Sequence, residues 1–574
     1  MSLMSHLSKL AGKAFIELGL PAGLGEVVPS QRPELAQFQV NGAMAAAKEA
    51  GQAPRDIAKS VARSLVGERE IAIAEVAGPG FVNIELTDET LSEWAKKGSQ
   101  DRRLGYEREG KAMTVLVDYA GPNVAKAMHV GHLRATIIGD SLARLFAFAG
   151  HDVIRDPHFG DWGFQMGLLI TAVLDEGIDP ATITLEDLQR IYPEAASRAE
   201  FDQEFADRAR AATVLLQQRD ESSLIIWQQM KSVSEESQRD DFAALGVSFD
   251  LWYGESDVAD YLAPLVERLE ETGVAEESDG ALVVRVAEPD DTREWPPLIL
   301  RSSAGGFLYS TTDLATVQMR VDMLNVDLML YVVDSRQGDH FTQVFRAARK
   351  AGIAGDDVAL EHIGFGTMNG PDGKPFKTRE GGVVRLGDVI EMLKGAARER
   401  IDEAHIAEGY PEEERDRIAA QVGIAALKFG DLINNRVSDY VLDLDRFSSF
   451  EGKTGPYLQY AAVRIKSILR KAVGQGLKPG EIIPPSIDAE RDLMLELLKL
   501  PEVVERAIDL RAPNHIAEYA HKLAGTWNRF YDRCHILNEP DADRQASWLT
   551  VAAWAEAALE TLLDLIGIEV PDRM

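Results

Sequence analysis

The chain is short of three things, and each shortage excludes something. Its 574 residues hold one cysteine, Cys534. A disulfide framework needs thiols in pairs and a Cys-rich zinc site needs at least two, so neither is available. A reducing compartment fits that usage, and a cytoplasmic protein is expected. Long apolar runs are missing as well. No stretch of about 18 uncharged apolar residues occurs, so no membrane span is expected. The opening segment, MSLMSHLSKLAGKAFIELGL, lacks the continuous apolar core of a signal peptide. Cations are the third shortage: 61 Lys+Arg stand against 93 Asp+Glu, a net charge of −32. As a whole-chain average, that speaks against a nucleic-acid partner.

What is present is a globular composition, 45% hydrophobic and 27% charged, with length for about three or four domains. The acidity is uneven. Residues 1–110 carry −2 and residues 455–574 carry −4, whereas 111–454 carry −26, of which −20 lies within 171–296. Both ends are close to neutral, so the average misleads about them. The acidic block is expected to set solubility.

Periodicity gives the same partition. Leu7–Leu20 and Asn41–Val66 have helical spacing, and Ile71–Val76 and Phe81–Leu86 read as strands joined by a Gly/Pro turn. Residues 91–110 are polar and read as a linker. Residues 113–119 read as a buried parallel strand, followed by a Gly-Pro-Asn loop and a helix from about His132 to Gly150. Short apolar runs at 297–300, 329–333 and 359–366, with helices between, predict an α/β doubly wound, Rossmann-like sheet. The block 171–296 reads as a largely helical insertion. From about Gly423 onward nearly everything is helical. The expected domains are 1–110, a small α+β domain; 111–454, the Rossmann-like sheet with its insertion; and 455–574, an α-helical bundle.

One segment concentrates chemistry: DYAGPNVAKAMHVGHLR, residues 118–134. A strand ends at Asp118, a loop follows, and His129-Val130-Gly131-His132 opens a helix. The imidazoles are three apart and share a face. A helix N-terminus favours anions through its free N–H groups, and Gly131 leaves room for close backbone approach. These features suit a nucleoside triphosphate.

This segment resembles the HIGH signature of class I aminoacyl-tRNA synthetases, in the (S/A)PN-x-x-K-x-x-H-x-G-H form of the arginyl-tRNA synthetases. Further segments resemble that family in order along the chain. They are Gly78–Ile84, Gly160–Gly167 (GDWGFQMG), Tyr309–Leu314 (YSTTDL), Asp334–Phe341 (DSRQGDHF) and Gly455–Ala461 (GPYLQYA). A departure is Ala120, where the family often has Ser. The KMSKS signature is absent as written. Its counterpart is Gly373-Lys374-Pro375-Phe376-Lys377-Thr378-Arg379, and the family implies that Lys126, just before the HIGH segment, takes over part of its role.

The resemblance implies an arginine–tRNA ligase using ATP with Mg²⁺, and tRNA(Arg) and L-arginine as partners. Residues 1–110 would then bind tRNA, 111–454 would be catalytic and 455–574 would read the anticodon, with the acidic block 171–296 facing away from the tRNA. It implies Lys126, His129, His132, Lys374 and Lys377 as catalytic, with Gly131 and Arg379 also at ATP. Asp118, Asn123, Tyr309, Asp313 and Gln337 would line the arginine site. Tyr457, Tyr460, Arg464, Trp527 and Met574 would meet tRNA, with Phe530 and Tyr531 as further aromatic candidates. His340, Asp161 and Gln165 stand between substrate contact and structural roles, and Trp162 reads as packing. No protein-built metal site, no editing domain and a monomer are expected. Another class I synthetase, or an HxGH adenylyltransferase, stays open as an alternative.

Overall fold

The computed structural model describes every residue except Met1, Gln31, Pro33, Ala304, Pro371 and 375–383. The chain divides into two compact units. One is Lys111–Ser449 with Ile566–Ile568; the other is Met1–Gly110 with Phe450–Leu565 and Glu569–Met574.

The first unit is built on a four-stranded parallel sheet, in the order Ala359–His362, Leu328–Val332, Thr114–Tyr119, Asp152–Asp156. Thr114–Tyr119 is buried from Val115 onward without alternation, as a central strand covered on both faces should be. The Val130–Phe148 helix makes the crossover to Asp152–Asp156. Parallel strands place loops at their carboxyl ends, where open α/β sheets bind ligands, and the HxGH turn lies at that end.

The expected insertion is helical over Leu185–Phe201, Gln203–Gln217 and Glu221–Ala244. Its core of Leu188, Ile191, Phe205 and Met230 is shared with Leu169 and Val173 of the Phe164–Glu176 helix. One reading needs correction here. The run at 297–300 forms the strand Leu298–Arg301, but in an antiparallel sheet with Ala275–Ser278 and Ala281–Val284 rather than in the parallel one. Asp279 and Gly280 both have positive φ, 50° and 78°, the Asp-Gly turn that closes a two-residue hairpin. The end of the insertion is therefore strand, and it shares the sheet's core through Val258, Leu265, Leu282 and Val284.

In the second unit a four-stranded antiparallel sheet, Val27–Pro29, Phe38–Val40, Phe81–Leu86 and Ile71–Ala77, packs with the Leu3–Glu17 and Pro54–Val66 helices. Residues 91–110 are not simply a linker. Asp88–Gln100 is a helix, capped by the Thr87 hydroxyl accepting from Thr90 N–H and burying Leu91 and Ala95. Its polar composition reflects a wide solvent face around a narrow apolar stripe. Five helices, Gly455–Gly474, Asp488–Leu497, Leu500–Asp509, Asn514–Arg533 and Ala542–Leu565, complete the unit. Among the described residues, no helix is long and apolar enough to cross a membrane.

Candidate active site

The HxGH turn is a reciprocal helix cap. His129 is the N-cap; its Nδ1 accepts from Gly131 N–H at 3.0 Å, and His132 Nδ1 accepts from His129 N–H at 3.1 Å. A ring nitrogen that accepts carries no proton in the neutral form, so each imidazole keeps its N–H on Nε2. Burial holds both rings below ordinary histidine basicity. His132 is pushed down to about 3, first by burial, then by His129 and Lys126. His129 is lowered by burial and by Lys126. At neutral pH the pair therefore offers two neutral Nε2–H donors at a helix N-terminus. Gly131 has a more local reason than nucleotide approach: a Cβ there would lie 2.7 Å from His129 Cε1.

The pair lines a cavity of about 520 Å³ with Asp118, Arg134, Gln337 and Met368, within the usual range for a small-molecule site. Backbone pairing stitches the turn to the chain leaving residues 375–383. Val130 N–H donates to Val384 O and Leu386 N–H to Met128 O. Lys374 is exposed, its N–H bonded to Asp372 Oδ1. Lys377 and Arg379 lie outside the described residues.

The loop between strand and helix is held from several sides. Ala120 and Ala125 sit at φ 81° and 66°, a left-handed conformation that alanine adopts only when its surroundings enforce it. Ala125 N–H donates to Ser234 Oγ, and Gln238 Nε2 donates to Asn123 O. Gln165 Nε2 donates to Asn123 Oδ1 at 3.3 Å, and a Cβ on Gly160 would meet that same oxygen at 2.4 Å. The GDWGFQMG segment thus serves the loop: Gly160 and Gln165 orient Asn123. Asp161 is buried and structural, accepting from Lys231 Nζ at 2.7 Å and from Ser256 N–H and Oγ–H. Trp162 packs edge-on against Trp227. Lys126 is not among the cavity-lining residues; its ammonium lies 4.8 Å over the Tyr192 ring.

The first turns of the Tyr309–Leu324 helix present Tyr309, exposed, and Asp313. His340 Nε2 is 2.5 Å from Asp313 Oδ2, and the Tyr309 ring lies 4.8 Å from that of His340. Sequence reasoning missed Glu255. Its turn packs against the Tyr309–Leu324 helix, its N–H donates to Phe159 O, and its Oε2 accepts from Trp162 N–H at 3.2 Å. Burial raises it to about 7, with Asp161 and Asp313 adding negative potential. Nothing local marks it, because it is one acid in a strongly acidic block.

Comparison with known proteins bears on this arrangement. The family model for the class I (R) tRNA synthetase catalytic domain matches residues 97–444, and that for the arginyl tRNA synthetase N terminal domain matches 5–86. The DALR anticodon binding domain matches 458–574. The chain is 47% identical to the arginine–tRNA ligase of Maricaulis maris and 42% identical to that of Alkaliphilus oremlandii, with all of both chains covered in each case. The chain belongs to the arginyl-tRNA synthetase family. Among solved structures, it resembles the Thermus thermophilus arginyl-tRNA synthetase at TM-score 0.83, with 24% identity and full coverage of both chains. The Plasmodium falciparum enzyme gives 0.84, with 23% identity over 100% of this chain and 99% of that one. These likenesses show the fold.

Asp118, expected at the arginine site, lines the cavity, and its Oδ2 also accepts from Arg320 Nη2 at 2.6 Å. One expectation for this family member changes, the one that puts Trp527 at tRNA. It is fully buried, as is Phe530, so neither can stack on a base. Tyr460 is 42% exposed. Arg464 stacks over Tyr531 at 4.4 Å, the Tyr457 hydroxyl accepts from Asn528 Nδ2 at 2.9 Å, and Met574 is half-buried. Among the described residues no group of three or more His, Cys, Asp or Glu side chains could hold a metal ion.

Proposed function

We propose that this synthetase activates L-arginine with ATP and transfers it to the terminal adenosine of tRNA(Arg). The observation that carries the reading is the pair of neutral Nε2–H donors at a helix N-terminus, lining a cavity with Asp118 and Gln337, together with an acidic cluster of Asp313 and Glu255. The donors suit phosphate and the cluster suits a guanidinium, which binds best to planar, bidentate acids.

In the first step an arginine carboxylate oxygen attacks the α-phosphorus of ATP, the bond to the bridging oxygen breaks, and pyrophosphate leaves. In the second, a hydroxyl of the terminal adenosine (the 2′-OH, by class I analogy) attacks the adenylate carbonyl and AMP leaves. No enzyme nucleophile is required, so catalysis rests on positioning and charge stabilisation. His129 and His132 donate to the phosphates, with Lys126, Lys374, Lys377 and Arg379 assigned to pyrophosphate. Asn123 and Gln337 take the α-amino and carboxylate groups. Asp118, Tyr309, Asp313 and Glu255 take the guanidinium, with His340 fixing Asp313. Mg²⁺ would accompany the ATP phosphates and offset part of their charge. Tyr457, Tyr460, Arg464 and Met574 are kept as tRNA contacts, and a cytoplasmic monomer is the working description.

The test is ATP–pyrophosphate exchange with each of the twenty amino acids, with and without tRNA. Arginine alone should drive exchange. Exchange driven by a different amino acid, or by none in the presence of tRNA(Arg), would overturn the assignment.

A further inference from the structure

One residue row crosses the floor of this site. In the sheet register Asp156 pairs with Asp118, Asp118 with Tyr331, and Tyr331 with His362. These positions lie at the carboxyl ends of the strands, with side chains on one face. Arg320, from the Tyr309–Leu324 helix, reaches into the row. Its Nη2 donates to Asp118 Oδ2 at 2.6 Å and to Asp156 Oδ2 at 2.7 Å, and its guanidinium lies 5.4 Å over the Tyr331 ring. Arg320 and Asp156 are fully buried, while the Asp118 side chain keeps 11% exposure toward the cavity.

As a stabilising device this triad is poor. Three charges leave water, and Nε and Nη1 of Arg320 are buried without a hydrogen-bond partner. Such clusters are often no better for stability than apolar side chains of the same volume. As a positioning device it is effective. The guanidinium holds Asp118 by one oxygen, which directs the remainder of the carboxylate at the cavity. Arg320 also lies on the same helix as Tyr309 and Asp313, so one contact registers that helix against the central strand.

We infer that Arg320 is a positioning residue for the amino-acid site, acting through Asp118 and through the helix that carries Tyr309 and Asp313. It touches no substrate. The inference rests on the reading that Asp118 serves the amino acid, and the experiment separates the two.

Steady-state exchange by full-length Arg320→Lys, Arg320→Met, Arg320→Met/Asp156→Leu and Asp118→Asn is measured for KM(arginine), KM(ATP) and thermal midpoint. Lysine keeps the charge on a shorter reach, so Arg320→Lys should raise KM(arginine) about threefold to tenfold. Arg320→Met should raise it more than tenfold, with KM(ATP) within twofold in both. The double variant removes the stranded Asp156 charge and restores apolar packing, so it should recover thermal stability yet keep the raised KM(arginine). If Asp118→Asn raises KM(arginine) while folded Arg320 variants leave it unchanged, Arg320 has only a structural role. Equal rises in both KM values for the double variant would likewise reduce Arg320 to a structural role. If Asp118→Asn itself changes nothing, the underlying reading of Asp118 is wrong. Arg320→Lys decides the matter should the methionine variants not fold.

Discussion

Glu255 gives the sharpest test of the guanidinium pocket, because its ionisation falls in an accessible pH window. Burial raises its carboxyl from the usual 4.5 to about 7, and the charges of Asp161 and Asp313 push in the same direction, against one lowering contact from Trp162 N–H. The free enzyme is therefore mostly protonated at Glu255 at pH 6 and mostly ionised at pH 8. A bound guanidinium stays charged throughout and favours the ionised form, so arginine must displace the proton at low pH. For a group at about 7, the resulting factor in KM(arginine) is about 11 at pH 6, about 2 at pH 7 and about 1.1 at pH 8. KM(arginine) should thus fall about tenfold across that range, worth about 1.4 kcal/mol, while KM(ATP) does not follow. In Glu255→Gln the profile should flatten, and KM(arginine) should rise by about 10- to 100-fold from the lost charge-assisted bond. The same shift has a sign in folding. Without arginine, the folded chain binds a proton that the unfolded chain has released, so this group's contribution to stability falls as pH rises from 4.5 toward 7. Exchange kinetics at pH 6, 7 and 8 decide the issue. A flat wild-type KM(arginine), or a pH dependence that survives in Glu255→Gln, refutes the placement of Glu255 at the guanidinium.

Two further predictions concern the phosphates and the second unit. His132→Ala removes a donor aimed at a charged phosphate and should lower kcat for exchange about 10- to 100-fold. It also opens the cap, at about 1 kcal/mol of stability, and tRNA affinity by filter binding should not change. An unaltered kcat would remove His132 from the mechanism. Trp527→Ala deletes a fully buried ring and should cost about 3–5 kcal/mol, seen as an earlier thermal midpoint. Weakened tRNA binding with an unchanged midpoint would restore Trp527 as a surface contact.

What can be read from the sequence is local. The strand to Asp118, the HxGH turn and the helix after it are contiguous, and turn chemistry plus periodicity locate them within a residue or two. The Asn123 loop is visible there, but its supports are not. Gly160 and Gln165 are far from it in sequence, and only the bridge between Asn123 and Gly160 reveals why a glycine stands there. Trp527 shows the opposite failure. Ile516, Ala520, Leu523, Ala524 and Trp527 follow one buried helical stripe, so its spacing points inward. Period is the better guide than aromatic identity at such a position. Arg320 is seven residues beyond Asp313, inside a helix whose sequence shows no clear apolar face, and nothing local separates a buried arginine from an exposed one.

The acidic block changes meaning most. Its charge of −20 over residues 171–296 suggests a solvated mass with a purely colloidal role. Part of it is such a surface: Asp175 pairs with Arg198 and Arg208, and Glu176 with Arg190, all partly exposed, and pairs of that kind contribute little stability. The inner side is different. Ser234 and Gln238 lie one turn apart on the Glu221–Ala244 helix; Ser234 accepts from Ala125 and Gln238 donates to Asn123. Lys231, one turn earlier, anchors Asp161, and Tyr192 on a neighbouring helix receives Lys126. A shift of the Glu221–Ala244 helix would therefore move Asn123 and the strained Ala125 together, and with them the lysine between Ala125 and the HxGH turn. The excess of acid is an outer property of the insertion. Its inner face sets the geometry of the loop that joins the amino-acid pocket to the phosphate donors.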